Sequence, residues 1–115
     1  MVSKSQSLAG RYASALYELA DQERCLDSVA IDLSNFSKLI DESEALDRLI
    51  KSPVISRDDQ LIGINSLLDK VNVSDLTRKF IGAVIMNRRL FVIHDMILTF
   101  LSELAERRGE IKASV

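Results

Sequence analysis

The stretch that decides the fold is residues 79–90, KFIGAVIMNRRL, which has basic side chains near both ends. Between them, residues 80–86 contain no charged or strongly polar side chain. Periodicity alone does not distinguish a buried strand from a buried helix in a run this short. If the run is helical, it is apolar on nearly every side. A chain of 115 residues has few other helices or strands that could cover such a helix. The neighbouring segments therefore decide its structure.

The segments around this stretch carry the spacing of helices. Apolar residues recur every three or four positions in five flanking segments, and Ser74 offers an N-cap just before the stretch. A lone buried strand would have no strand to pair with in such a chain. The four glycines and one proline in a Leu-, Ile- and Ala-rich sequence also favour helices. We therefore predict an all-α fold, a six-helix bundle whose fifth helix contains residues 79–86.

Caps and breakers divide the chain into the six predicted helices. Pro53 interrupts the chain between the third and the fourth helix. Gly109 fits the position after the C-cap of the sixth helix. The predicted helices are residues 8–23 after Ser5 or Ser7, about 26–40, 44–51 after Ser43, a fourth that follows Ser56 and reaches Val71, 75–87 after Ser74, and about 90–108.

The pattern changes after Gly109. In residues 110–115, EIKASV, apolar and polar side chains alternate, which is typical of a strand. A single strand has no partner in an otherwise helical chain. We therefore expect a helical domain at residues 1–108, followed at 109–115 by a linker and the first strand of a truncated C-terminal domain.

Composition argues against several classes of function. The 15 Lys and Arg against 17 Asp and Glu give a formal charge of −2, which argues against nucleic-acid binding. Arg88 and Arg89 form a basic pair, but the helix before them carries Ile, Val and Met rather than base-reading polar residues. No segment has the apolar run of a signal peptide or a membrane span. The expected setting is a reducing, aqueous compartment, with any membrane association made through a partner and no direct insertion.

The sequence offers little for catalysis or metal binding. Cys25 is the only cysteine, which excludes Cys-rich metal sites. His94 is the only histidine, and Phe91 stands where a di-iron bundle would need a Glu. Glu103 and Glu106 are expected on an exposed helix face rather than in a pocket that would perturb their pKa values. We therefore expect no catalytic residue, no metal and no cofactor.

Two of the predicted helices have more apolar surface than one core contact needs. At 100° per residue, the first helix carries two adjacent apolar strips that together span about 160°, where a surface helix needs about 100°. One strip contains Leu8, Tyr12, Ala15 and Leu19, and the other contains Ala9, Ala13, Leu16 and Ala20. On the fifth helix a core arc of Phe80, Ile81, Val84 and Ile85 lies opposite Lys79, Gly82, Ala83 and Met86.

Two uses of the extra faces stay open on pattern alone. They can pack against other helices of the same bundle, or they can form a groove for a helix from another chain. Gly82 and Ala83 permit close approach of a second backbone, and Met86 is an adaptable contact residue. Spacing also leaves open which strip of the first helix faces the core.

Two passages resemble the delta subunit of F-type ATP synthases, whose mitochondrial counterpart is the oligomycin sensitivity-conferring protein. Residues 11–20, RYASALYELA, are similar to that family's R-Y-A-x-A-L-x-x-x-A opening. Residues 87–115, NRRLFVIHDMILTFLSELAERRGEIKASV, are similar to its N-x-R-L…I…I…F…L…G…A-x-V stretch. Pro53 also falls where family members often have a proline. The matching residues are Arg11, Tyr12, Ala13, Ala15, Leu16, Ala20, Asn87, Arg89, Leu90, Ile93, Phe100, Leu104, Gly109, Ala113 and Val115.

The resemblance covers essentially the whole chain, and it implies a function. It implies a six-helix N-terminal domain in a non-catalytic subunit of the peripheral stalk, the stator of a proton-driven ATP synthase. In that family this domain grips the N-terminal helix of an alpha subunit, and the C-terminal domain joins the membrane-anchored b subunits. The implied location is the cytoplasmic face of a bacterial plasma membrane, peripheral and held through the complex.

The resemblance further implies that the partner helix lies in a groove between the first and fifth helices. We expect Lys79 to neutralise an acidic partner residue or the C-terminal end of the partner's dipole. A competing interpretation is a free-standing helical adaptor that binds another amphipathic segment. A metal- or small-molecule-binding bundle would need a polar cluster in its core, which the apolar stripes do not show. The expected contacts are Tyr12, Ala15 and Leu19 on the first helix and Lys79, Ala83 and Met86 on the fifth.

Overall fold

The computed structural model describes residues 7–108, which form six α-helices and no strand. This confirms the predicted all-α six-helix bundle. Residues 79–86, which could have been a strand or a helix on periodicity alone, are helical. The strand predicted at residues 110–115, and the boundary at Gly109, lie outside the described residues. The helices are α1 (Leu8–Gln22), α2 (Leu26–Glu42), α3 (Glu44–Lys51), α4 (Arg57–Val71), α5 (Asp75–Met86) and α6 (Ile93–Arg107), the last preceded by a 3₁₀ turn at Leu90–Val92.

Four of the helices begin at a serine whose hydroxyl accepts a hydrogen bond from the backbone N–H three residues further on. This bond satisfies one of the N–H groups that a helix start leaves without a partner. Of the two candidates for the first helix, Ser7 is the cap. The capping serines are Ser7 of α1, Ser43 of α3, Ser56 of α4 and Ser74 of α5, with N–O distances of 2.9, 3.2, 3.1 and 3.4 Å.

The sixth helix starts later than the predicted position at about residue 90. Residues 90–92 form a 3₁₀ turn, and regular α-helix begins only at Ile93. The cause lies just before the turn, where Arg88 takes a left-handed conformation with φ 59° and ends α5. Arg89, at the start of the turn, supplies no capping side chain. The chain therefore enters α6 through a tighter turn, which is a common start for a helix.

The core is centred on α6, which packs along α1 and against α2. Phe100, in the middle of α6, is fully buried. The Phe100 ring lies 5.7 Å from the ring of Tyr17 on α1, centre to centre, at a tilt of 50°. The Arg107 guanidinium stands 4.4 Å from the centre of the Tyr17 ring, where the negative face of the ring attracts it. Tyr17 therefore joins α1 to α6 through two contacts, one with Phe100 and one with Arg107.

The predicted exposure of Glu103 was wrong, whereas Glu106 is exposed as expected. Only 17% of the Glu103 side chain is exposed. Its carboxylate lies 2.9 Å from the Arg107 guanidinium and accepts a hydrogen bond of 3.4 Å from the Ser14 hydroxyl of α1. The close packing of α1 on α6 covers this side chain, and spacing along α6 alone carries no information about that neighbour.

A buried polar contact, which the apolar stripes did not predict, joins α2 to α5. Thr77 is fully buried, and its hydroxyl donates a hydrogen bond of 2.8 Å to Oδ2 of Asp32. The backbone N–H of Ser74 donates to the same oxygen at 2.9 Å. The carboxylate thus stands at the N-terminus of α5, where the helix dipole favours a negative charge. This link fixes the start of α5 against α2.

We expect the Asp32→Ala variant to lose about 2 kcal/mol of its free energy of unfolding, because it removes charge-assisted hydrogen bonds from a buried hydroxyl and a helix start. Urea denaturation followed by circular dichroism measures this loss. Asp32→Asn is the control, since it keeps an acceptor oxygen and should lose less. Equal stability of Asp32→Ala and the unaltered chain would show that the link contributes nothing.

Candidate functional site

The structure decides which apolar strip of α1 faces inward. Ala13, Leu16 and Ala20 are buried. On the other strip Tyr12 is half-buried, while Ala15 is exposed and Leu19 is 46% exposed. The strip that contains Tyr12, Ala15 and Leu19 is therefore the spare one, and no other described part of the chain covers it fully.

The fifth helix divides in the same way. Ile81, Val84 and Ile85 are fully buried. On the opposite side Ala83 is exposed and Met86 is 45% exposed. A Cβ atom built on Gly82, between these two sides, would meet no heavy atom within 4 Å. This face of α5 is thus open, and space remains above its backbone for another chain.

A hydrogen bond joins α1 to the residue that follows α5. The side-chain amide of Asn87, which follows α5, donates to the Tyr12 hydroxyl of α1 at 3.0 Å. The contact joins residues 75 positions apart in the sequence. Asn87 was not among the predicted contacts, although it starts the second of the two family-like passages. We refer to the exposed and half-buried residues Tyr12, Ala15 and Leu19 of α1 and Lys79, Ala83 and Met86 of α5 as the α1–α5 face.

The α1–α5 face is apolar, with one cation. Lys79 is exposed, and within residues 7–108 its ammonium group forms no ion pair. Lys79 lies eight positions before Asn87, which is about 12 Å along a helix. The positive charge is therefore set well away from the Tyr12–Asn87 contact. Such a face suits an amphipathic helix that carries a negative group near one end.

The described residues offer few groups for chemistry. Among residues 7–108 no cluster of three or more His, Cys, Asp and Glu side chains could hold a metal ion. Burial raises the pKa of the Cys25 thiol, and the nearby charges of Glu23 and Asp32 raise that pKa further. A raised pKa keeps the thiol protonated and makes it a poor nucleophile. His94 is half-buried at the edge of a shallow cleft beside Asp41.

No helix within residues 7–108 combines the length and apolar character that crossing a lipid bilayer requires. No buried side-chain nitrogen or oxygen in these residues lacks a hydrogen-bond partner. The polar atoms of the core, including the Thr77 hydroxyl, are therefore accounted for by contacts within the fold.

Comparison with known proteins decides the family. Residues 8–115 match the sequence profile of the ATP synthase delta (OSCP) subunit. The chain belongs to this family. The ATP synthase delta subunits of Rhodospirillum centenum and Parvibaculum lavamentivorans are 50% and 49% identical to it over 108 residues, which is 94% of this chain. The delta subunit of Rhodospirillum rubrum is 44% identical over the same length. These matches confirm the resemblance drawn from the two passages.

The chain spans somewhat more than half the length of the curated relatives that it matches. The matched region is 58% of the Rhodospirillum centenum protein and 56% of the Parvibaculum lavamentivorans protein. Within this region, the opening passage that resembles other ATP synthase delta subunits serves both sides of α1. Ala13 and Leu16 enter the core, while Tyr12 and Ala15 lie on the α1–α5 face.

Proposed function

We propose that this chain is a non-catalytic part of the peripheral stalk of an F-type ATP synthase and that its α1–α5 face binds the N-terminal helix of an alpha subunit. The observation that carries the proposal is that α1 and α5 of this delta-family member each leave an apolar face open. A hydrogen bond between Tyr12 of α1 and Asn87, which follows α5, links the two helices. In this role the chain holds the catalytic head while protons drive ATP synthesis. The b subunits of the membrane sector would attach through a C-terminal domain, at the cytoplasmic face of a bacterial plasma membrane.

The side chains of the α1–α5 face suit a helix as the partner. An amphipathic helix lays its apolar side into a groove through anchors spaced three or four residues apart. Ala15, Gly82 and Ala83 allow its backbone to come close, and they lose almost no side-chain entropy on binding. Met86 has a flexible, polarisable side chain that adapts to the shape of an anchor. Lys79 supplies the single charge that would meet an acidic partner residue or the partner's C-terminal end.

Energetics require that such a face be preformed. Four buried anchors gain about 1.5–3 kcal/mol each, while association costs about 4–15 kcal/mol. The two ranges overlap, so the net free energy of binding is small. Any entropy lost by ordering the face on binding would reduce it further. In this structure α1 and α5 are each capped by a serine, and both have fully buried residues behind the open face. The face is therefore held by the core before a partner arrives.

The role needs stiffness and no chemistry. A stator resists the torque that rotation applies to the catalytic head, so its contacts have to persist while the active sites turn over. The α1–α6 packing around Tyr17 and Phe100 and the α2–α5 link through Asp32 and Thr77 both oppose relative movement of the helices. These contacts support the proposed role of a static clamp.

Nuclear magnetic resonance tests the proposal on the 15N-labelled chain. Titration with a peptide of the alpha-subunit N-terminus should shift the amide signals of Ala15, Leu19, Ala83 and Met86, because their surroundings change from water to an apolar helix. The amide of Ile62, which is exposed on α4, should keep its position. A scrambled peptide of the same composition is the control. Shifts confined to α4, or none at saturating peptide, would contradict the proposal.

A pull-down from the native source tests the partner identity separately. Recovery of the alpha subunit supports the stator role. Recovery of unrelated amphipathic clients, with no ATP synthase subunit among them, would instead favour a free-standing helical adaptor that uses the same face.

A further inference from the structure

A cleft among residues 7–108 lies between the α3–α4 connection and the 3₁₀ turn before α6. Its volume is about 540 Å³, which is within the usual range of about 300–1,000 Å³ for ligand sites. Ile50 of α3 and Leu90 of the turn are buried and line the bottom of the cleft. The floor is thus apolar and belongs to the core.

The cleft collects positive charge. Lys51, Arg57 and Arg88 line it, and no acidic residue is among the described residues of its lining. The whole chain carries a formal charge of −2, so a cleft lined by three cations is more positive than the protein as a whole. Lys51 pairs with Asp47 at 3.2 Å, which offsets part of one of the three charges.

The two arginines are placed differently. Arg57 donates a hydrogen bond of 3.0 Å from Nη1 to the backbone carbonyl of Met86, which holds its guanidinium at the cleft. The Arg88 side chain is exposed and makes no hydrogen bond or ion pair within residues 7–108. A guanidinium retains five donors in a planar fork that matches a carboxylate. Arg88 is therefore available to bind one.

An exposed aromatic ring stands beside these cations. Phe91 is 60% exposed and lines the cleft next to the buried Leu90. Gln60, at the base of α4, is buried and fixed by a hydrogen bond of 3.2 Å from its side-chain amide to the carbonyl of Leu49. With Pro53, Ile55 and the buried Ile50 and Leu90, Phe91 gives the cleft an apolar lining beside the cations.

We propose that this cleft binds an acidic segment of a partner protein, which places an apolar side chain against Leu90 and Phe91 and carboxylates against Arg88 and Arg57. Charge complementarity selects an acidic occupant, and the apolar floor with its exposed ring selects one that also carries an apolar anchor. A free inorganic anion would use the arginines and leave Phe91 in water. The cleft shares no lining residue with the α1–α5 face, although Arg57 of the cleft is hydrogen-bonded to the backbone of Met86 on that face.

Photocrosslinking in the native source tests this inference. The chain carries p-benzoylphenylalanine in place of Phe91, and the crosslinked segment is identified by mass spectrometry. We expect a segment in which at least two Asp or Glu residues flank an apolar side chain. Arg88→Glu should lower the crosslink yield about tenfold, which corresponds to about 1.4 kcal/mol of lost attraction. Arg88→Gln should lower the yield less.

The neighbouring arginine provides a matched control. Arg89 is also exposed but does not line the cleft, so Arg89→Glu should leave the crosslink yield within about twofold. Circular dichroism checks that each variant is folded. A crosslink that is absent, that is equally strong in Arg88→Glu, or that joins a segment without acidic residues would overturn the inference. Saturable binding of inorganic phosphate in calorimetry, without any protein crosslink, would also overturn it and would assign the cleft to a small anion.

Discussion

Titration calorimetry with the alpha-subunit N-terminal peptide should show no measurable binding to the Ala83→Asp or Ala15→Asp variant, and both variants should keep the helicity of the unaltered chain. Both alanines are exposed in the free chain, so a carboxylate at either position stays in water and folding is unaffected. In the complex the same carboxylate would lie under an apolar helix without a partner. Burying an unpaired charge costs several kcal/mol, so the affinity should fall by at least about 100-fold.

The control for these variants is the same substitution at another exposed helical alanine. Ala45 lies on α3, outside the α1–α5 face, and Ala45→Asp should leave the affinity unchanged. Affinity equal to that of the unaltered chain in both Ala83→Asp and Ala15→Asp would remove the groove hypothesis, whatever the family of the chain.

Sequence spacing predicted the faces of the helices but not their orientation in the bundle. On α1 it gave two apolar strips, and the choice between them depends on where α6 lies. Tyr17 is buried beside the inward strip. At 100° per residue it lies about 40° beyond Ala13, on the side away from Tyr12, so it adds a large ring to one strip only. This ring packs against Phe100 of α6, so the inward side of α1 is the one beside Tyr17. Spacing could not choose this side in advance, because the other strip carries a ring of its own in Tyr12.

Contacts between distant helices could not be predicted by spacing. The Asn87–Tyr12 hydrogen bond joins residues 75 positions apart, and the Thr77–Asp32 bond joins residues 45 positions apart. Helical periodicity describes one helix at a time and contains no information about which polar side chains of two helices meet. Arg88 and Arg89 are adjacent in the sequence, but only Arg88 lines the cleft. Helical periodicity could not predict this difference for the same reason.

The largest loss of stability is expected from Phe100→Ala. Phe100 is fully buried at the centre of α6 and packs on Tyr17 of α1. Removing the ring takes away its apolar burial and leaves a cavity, which costs about 3–5 kcal/mol. Proteins of this size have about 5–15 kcal/mol in total, so this variant should be close to unfolding. Urea denaturation followed by circular dichroism measures the change.

Phe91→Ala is the matched control, because it removes the same ring from a site that is 60% exposed. We expect it to cost less than about 1 kcal/mol, since most of that ring is already in water. Similar losses in the two variants would show that the α1–α6 packing is not the main source of stability.

If only Phe100→Ala is destabilised, we also expect that variant to bind the alpha-subunit peptide more weakly. The core that holds α1 in place also holds the open strip with Tyr12 and Ala15, so the proposed clamp can be only as stiff as this packing.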